Sequence, residues 1–415
     1  MTALYLYDDA RARSFEPFAS TRPFSELVSG GALIRERWRA ALQPTETHFI
    51  SSQVHDNFEE SGEFTPAVGE IPAGSIIANA RCVPAIPDDI PNVARRAATC
   101  SMWRRDERLA AVRTRDPIHV AALADGTLAL ESIASGTGAI GNLGGWWIDE
   151  VWDLIRLLPE QLTVDIGAFA AQPYAPRTPP PAHVTIIGKH RVILIGAVDI
   201  EPHVVLDASH GPILINDGTS IRAFSRITGP CYIGRSVQIM GGDITTCSIG
   251  DVCKVRGELS NSIFLGYSNK GHDGFVGHSY LGRWVNLGAG TTTSNLKNTY
   301  GTVSLWTPAG VRDTGMQFLG TLFGDHVKTG IGLRLTTGTV LGTGANVYDS
   351  MPPKAVPPFA WGGAAPYSLY RADKFIESAA RMMQRRHVDL GTRGRRHLQM
   401  IHEQRWTIDE EMDTA

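Results

Sequence analysis

Residues 220–255 read SIRAFSRITGPCYIGRSVQIMGGDITTCSIGDVCKV, and their spacing decides the fold. Ile221, Ile227, Ile233 and Ile239 fall six residues apart, and Ile249 and Val255 resume the interval after a slip of one face. A helix repeats its apolar stripe about every 3.6 residues and a half-buried strand every 2, so neither isolates an aliphatic at each sixth position. A coil of three short strands does, because each face of the resulting prism needs one inward aliphatic side chain. The interval returns at Phe275, Leu281 and Leu287, and again at Leu335, Leu341 and Val347. A small residue or glycine follows the aliphatic in YIGR, SIGD, YLGR and NLGAG, where a tight corner is expected. The pattern predicts a left-handed parallel β-helix, whose hand departs from the usual crossover rule. A β-sandwich with coincidental spacing is the competing reading.

Working outward, the texture changes on both sides. Residues 1–172 read as an α/β domain: ALYLY and SIIANARCVP as strands, GALIRERWRAAL as a helix with Leu33, Trp38 and Leu42 on its apolar side, and WWIDEVWDLIRLL as another helix. The stretch AQPYAPRTPPPAH carries five prolines, which cannot donate to a sheet ladder, so 173–183 is expected to be a semi-rigid linker. The β-helix is expected over 184–360, closed by the proline-rich SMPPKAVPPFAWGG, and an arginine-rich helical segment over 361–415.

The chain has 415 residues, enough for two or three domains. Its 39 basic and 42 acidic residues nearly balance, so nothing draws it to nucleic acid. The N-terminus lacks the apolar core of a signal peptide, and no apolar run is long enough to span a bilayer. The five cysteines form no CxxC pair, which suits reduced thiols. A cytoplasmic protein with no membrane and no nucleic-acid partner is the expectation.

The segment NKGHDGFVGHSYLGRWVNLGAGTTTSNLKNTY, 269–300, breaks the monotony of the repeat. His272, His278, Asn286, Asn295 and Lys297 gather within one or two coils. A neutral imidazole can accept a proton from an amine near pH 7. Asparagine amides can hold sugar hydroxyls or a thioester carbonyl, and the glycines of NLGAG let a ligand approach backbone N–H groups. The structural alternatives stay open: asparagines stacked along the coil to satisfy corner carbonyls, and a solvated lysine. Zinc held by histidines is a poor match. His272 and His278 are six apart and fall on successive faces, so His326 would have to join them.

In the N-terminal domain a nucleotide would need basic residues and a metal-binding acid. Arg22, Arg35 and Arg37, with Gly30 and Gly31, are candidate phosphate ligands, against a plain structural turn into a helix. Asp8, with Asp9, ends the first strand and is a candidate for Mg²⁺. GTGAIG, 136–141, matches a dinucleotide pattern but lacks its strand–turn–helix setting, and reads as a flexible loop into a helix at 146–158.

The stretches STRPFSEL…GGALIRERW (20–38), YSNKGHDGFVGHSYLGRWVNLGAGTTTSNLKNTY (267–300) and GDHVKTGIG (324–332) resemble a known family. It is the alternative-type bacterial bifunctional UDP-N-acetylglucosamine diphosphorylase/glucosamine-1-phosphate N-acetyltransferases, in which a sugar nucleotidyltransferase-like domain precedes a left-handed β-helix. The resemblance implies that His272 is the base deprotonating the amine of glucosamine 1-phosphate, with Asn295 beside it at the reaction centre. It implies substrate contacts from Asn286, Lys297, Lys270 and Phe275, and acetyl-CoA alongside Ala289 and Gly290. It further implies Mg²⁺ and UTP in the N-terminal domain, and a homotrimer with acetyl-CoA between prisms. Three departures stand out: Phe275 replaces a tyrosine, His278 an aspartate, and the family's lysine after the second asparagine falls at Gly301. The opposing reading is a non-catalytic sugar-nucleotide-binding or regulatory protein of the same plan.

Overall fold

The structure, a computed structural model, describes residues 2–60, 64–87, 99–134, 138–172, 176–349 and 351–408. The chain forms two compact units. One comprises Met1–Phe15, Ala19–Asp153 and Gly391–Ile401; the other comprises Glu16–Phe18, Leu154–Leu390 and His402–Ala415.

The first unit is built on a seven-stranded sheet. Ala3–Tyr7 lies inside it, parallel to Glu46–Ile50 on one side and to the central strand Ile76–Asn79 on the other. The strand is buried on both faces, with Leu4 and Leu6 turned one way and Tyr5 and Tyr7 the other. The helix Ile34–Leu42 buries Ile34, Trp38, Ala41 and Leu42. Leu33, expected on its apolar side, is instead the extended residue before the first turn. SIIANARCVP divides into the strands Ile76–Asn79 and Cys82–Pro84. The described part of GTGAIG is no loop: Ala139–Asn142 pairs parallel with Cys100–Arg105, and Gly136 and Thr137 lie outside the described residues. Gly145–Trp147 is a strand, so helical structure begins only at Asp153.

The second unit contains the β-helix expected from the six-residue interval. Its register steps are 18 residues where the repeat is ideal, as in Ser220 with Gln238 and Thr321 with Thr339. Ile221, Ile227, Ile233, Ile239, Ile249, Val255, Leu281, Leu287, Leu335, Leu341 and Val347 all enter one continuous core. Phe275 does not. Some steps are shorter, and Lys254 pairs with Asn269, 15 residues on. The inward residue of this face is Val276, in register with buried Leu259. Between Tyr280 and its partner Leu322 the chain makes an excursion that includes the hairpin Ser304–Thr307 and Gly310–Asp313.

The corners are made differently from the sequence expectation. The glycine after the aliphatic is needed for close approach of coils: a Cβ on Gly250 would lie 2.5 Å from the Leu265 carbonyl oxygen. Positive φ falls two residues later, on Ser236, Val252, Tyr267, Trp284 and His326. Such conformations cost non-glycine residues about 1–2 kcal/mol. Successive corner rings offset that cost by stacking, Tyr267 on Trp284 at 4.4 Å and Trp284 on His326 at 6.4 Å.

Helix Leu158–Ala171 belongs to this second unit, with Ile166 and Ala170 packed on Ile193 and Leu214. Within the proline-rich stretch, Arg177–Thr178 pairs antiparallel with Val192–Ile195. Helix Ala372–Gln384 buries Phe375, Ala379 and Met383 at four-residue spacing. All five cysteines are buried and unpaired. Among the described residues no helix is long and apolar enough to cross a membrane.

Candidate active site

His272 sits exposed on the bend between the short strands Asn269–Lys270 and Phe275–Gly277. What holds that bend is a lysine inside the prism. Lys270 is in register with core residue Val255 and only 1% exposed. Its Nζ donates at 2.8 Å to the carbonyl of Arg256 and at 2.8 Å to that of His272. Burial pushes its pKa down to about 8. Lys270, expected to touch substrate, is thus turned inward and fixes the main chain of His272. On the next coil, Gly290 N–H donates to the Asp273 carbonyl at 2.9 Å, which stitches the Ala289–Gly290 corner to that of His272. The Gly290 amide, already engaged, is not a free oxyanion donor.

A second cluster forms one face away. The Asn295 Nδ2 donates to His278 Nδ1 at 2.9 Å, and the imidazole stacks on Phe318 at 5.3 Å. Desolvation lowers the His278 pKa to about 4, so the ring is neutral at pH 7, with its proton on Nε2. Phe275 and Asn295 converge over Gly277, where a Cβ would meet them at 2.4 and 2.6 Å. Lys297 is half-buried in the segment that follows. Asn286 is elsewhere: its Oδ1 accepts from Asn269 Nδ2 at 2.7 Å on the adjacent face, beside Lys254. Among the described residues no three His, Cys, Asp or Glu side chains gather to hold a metal, so His272, His278 and His326 form no zinc site.

The first unit has its own cavity, of about 340 Å³, at the carboxyl ends of the parallel strands Ala3–Tyr7 and Ile76–Asn79. The connections leave these two strands in opposite directions, and crevices at such switch points are where open α/β sheets bind ligands. Asp9, Arg11, Asn79, Arg108 and Trp147 line it. Arg81 grips Asp9 at 2.7 Å, and the Arg108 guanidinium lies 3.8 Å from the Trp147 ring centre. A Cβ on Gly126, which has φ +79°, would sit 2.7 Å from the Ala10 amide, so only glycine lets this wall close on the strand end.

The three arginines expected on phosphates are not at this cavity. Arg22 is buried against Glu60, Arg35 pairs with Glu26 at 2.9 Å, and Arg37 is fully buried, donating to the carbonyls of Ser29 and Pro84. Asp8 does not suit Mg²⁺ either. It is 2% exposed, one oxygen takes Phe24 N–H and Ser51 Oγ–H, and burial raises its pKa to about 7. Arg11 and Asn79 went unread in the sequence, although Arg11 stands only two residues after the DD that ends the first strand.

Residues 4–172 match the family described as Sugar nucleotidyl transferase. The chain is also similar to the bifunctional sugar-1-phosphate nucleotidylyltransferase/acetyltransferase of Sulfurisphaera tokodaii. The two are 32% identical over 91 residues, which span 22% of this chain and 23% of that protein. LpxA, a UDP-N-acetylglucosamine acyltransferase from Bacteroides fragilis, aligns with 55% of this chain over 99% of its own, at 13% identity and a TM-score of 0.23.

Proposed function

We propose that this is a two-activity enzyme of sugar-nucleotide synthesis. Its β-helix moves an acetyl group from acetyl-CoA to the amine of an amino-sugar 1-phosphate, with glucosamine 1-phosphate the first candidate. Its N-terminal unit transfers a nucleotidyl group, from UTP in the simplest case, to give UDP-N-acetylglucosamine. The observation that carries the reading is the exposed His272, fixed at its own carbonyl by the buried Lys270. A rigid corner that presents an imidazole to solvent is what a general base requires.

In the mechanism His272 takes a proton from the amine as the nitrogen attacks the thioester carbonyl. A C–N bond forms, the C–S bond breaks, and the proton passes from His272 to the departing thiolate. His278 is unsuited to that part, because an imidazole with a pKa of about 4 is a weak base. Asn295, braced by His278, would orient the acceptor, and Ala289–Gly290 would flank the thioester. For the nucleotidyl step the cavity at Asp9, Arg11 and Asn79 is the binding site. A cytoplasmic homotrimer completes the proposal.

The test is thiol release from acetyl-CoA with glucosamine 1-phosphate, wild type beside His272→Ala. A loss of about 10²-fold or more in the variant supports the base. A wild type inert toward this and other amino-sugar phosphates would refute the acetyltransferase reading.

A further inference from the structure

Helix Ala372–Gln384 pairs the cations of its earlier turns with its own acids: Arg371 with Asp373, and Lys374 and Arg381 with Glu377. At its C-terminal end the pattern stops. Arg385 and Arg386 have no acidic partner among the described residues, and neither has Lys254, which faces the same cavity from the β-helix. The negative end of a helix dipole favours cations, which accounts for two arginines there. It does not account for a lysine brought up opposite them. Lys254 has its pKa lowered by burial and then by Arg386, Arg385 and Arg222, so these charges oppose one another without a carboxylate between them.

The cavity, about 190 Å³, also offers neutral donors. The Asn286 amide oxygen is taken by Asn269, which leaves its N–H₂ free. Trp284, another lining residue, contributes its ring, stacked between Tyr267 and His326. Uncompensated cations with an amide donor, and no acid in the lining, describe a receptor for a compact polyanion.

We infer that this cavity, between Lys254, Asn286 and the Arg385–Arg386 helix end, binds the phosphate group of a substrate. The candidate sources, coenzyme A or the sugar 1-phosphate, rest on the acetyl-transfer reading; the anion site itself does not. Asn269 is three residues from His272, at most about 10 Å of extended chain, so a phosphate held here is within substrate length of the proposed base.

The experiment is calorimetric titration of the full chain with inorganic pyrophosphate, wild type beside Arg385→Gln/Arg386→Gln and, separately, Lys254→Gln. Pyrophosphate bound by the other unit is common to all three proteins and cancels in the difference. A site weakened at least 10-fold in both variants, with unchanged circular dichroism, is the expected result. Identical isotherms would overturn the inference. Competition then identifies the source: displacement by coenzyme A assigns the acyl donor, displacement by glucosamine 1-phosphate the acceptor. If neither displaces pyrophosphate while wild type acetylates normally, the inference fails and the acetyltransferase reading survives. If the site binds but no acetyl transfer occurs, that reading fails and the anion site stands.

Discussion

Replacing Lys270 with methionine keeps the core filled while removing the amine that holds the His272 corner. Two opposing effects set the magnitude at neutral pH. Holding this buried lysine at about 8 rather than 10.5 costs the native state about 3 kcal/mol near pH 7, and the variant recovers that. It loses two hydrogen bonds from a charged donor, about 1.5–3 kcal/mol each, so the net destabilisation is about 0–3 kcal/mol. The pH dependence is sharper than the net value. The native amine releases its proton near pH 8 and the unfolded one near 10.5, so in that window the unfolded chain holds more protons and stability rises with pH. Wild type should gain about 2.5 kcal/mol through this residue between about pH 7 and pH 10, and Lys270→Met should gain none. Lys328, also lowered to about 8 by burial, contributes equally to both proteins and drops out of the difference. Urea unfolding followed by circular dichroism across that range measures it, and acetyl transfer in the same samples should fall at least ~10-fold as His272 loses its anchor. A wild-type-minus-variant difference that stays flat with pH would refute the buried-amine argument.

Two glycine substitutions should separate site from scaffold. Gly277→Ala drives a Cβ against the ends of Phe275 and Asn295, which can swing aside. Stability should drop by no more than about 1.5 kcal/mol, while acetyl transfer falls ~10-fold with the Asn295–His278 bond broken; unchanged kcat/KM would remove Asn295 from the reaction centre. Gly250→Ala meets backbone of the next coil at 2.5 Å and should cost about 3 kcal/mol or more, read as a lower urea midpoint. In the first unit, Asp8 is raised to about 7, so the native state holds more protons than the unfolded chain between about pH 4 and 7, and stability falls as pH rises through that window. Asp8→Asn should abolish that slope and leave the unit more stable at pH 8 than wild type; a slope that persists would exclude Asp8 as its source.

The inward aliphatics were legible because a prism demands one at every face, and nothing else in proteins imposes that interval. His272 is singled out by the resemblance carried by 267–300, and the structure sets it on an exposed bend. Lys270 was not legible as an anchor: a six-residue count back from Leu281 puts the inward position at Phe275, whereas Val276 is the inward residue and Lys270 stands in register with core Val255. Asn286 and Asn295 were grouped because they lie within one or two coils, yet Asn286 bonds Asn269 and Asn295 bonds His278. The arginines misled for another reason. An arginine beside glycines reads the same whether its fork meets a phosphate or a carboxylate, and Glu60 lies 38 residues from Arg22.

The same reasoning explains why the His272 bend lies where it does. A solenoid propagates a uniform interior, so every coil competes to look like its neighbours, and a bend that must hold one shape needs a constraint that its neighbours lack. An amine at a core position supplies this. Its Nζ has no acceptors among Val255 and the aliphatics around it, and can be satisfied only by carbonyls at the corner, those of Arg256 and His272. The cost of burying the charge is thereby converted into a preference for one conformation of the 270–274 bend, because any other leaves an ammonium without acceptors. Aliphatic packing could have made the prism more stable at this level, but it would have left the corner free to choose.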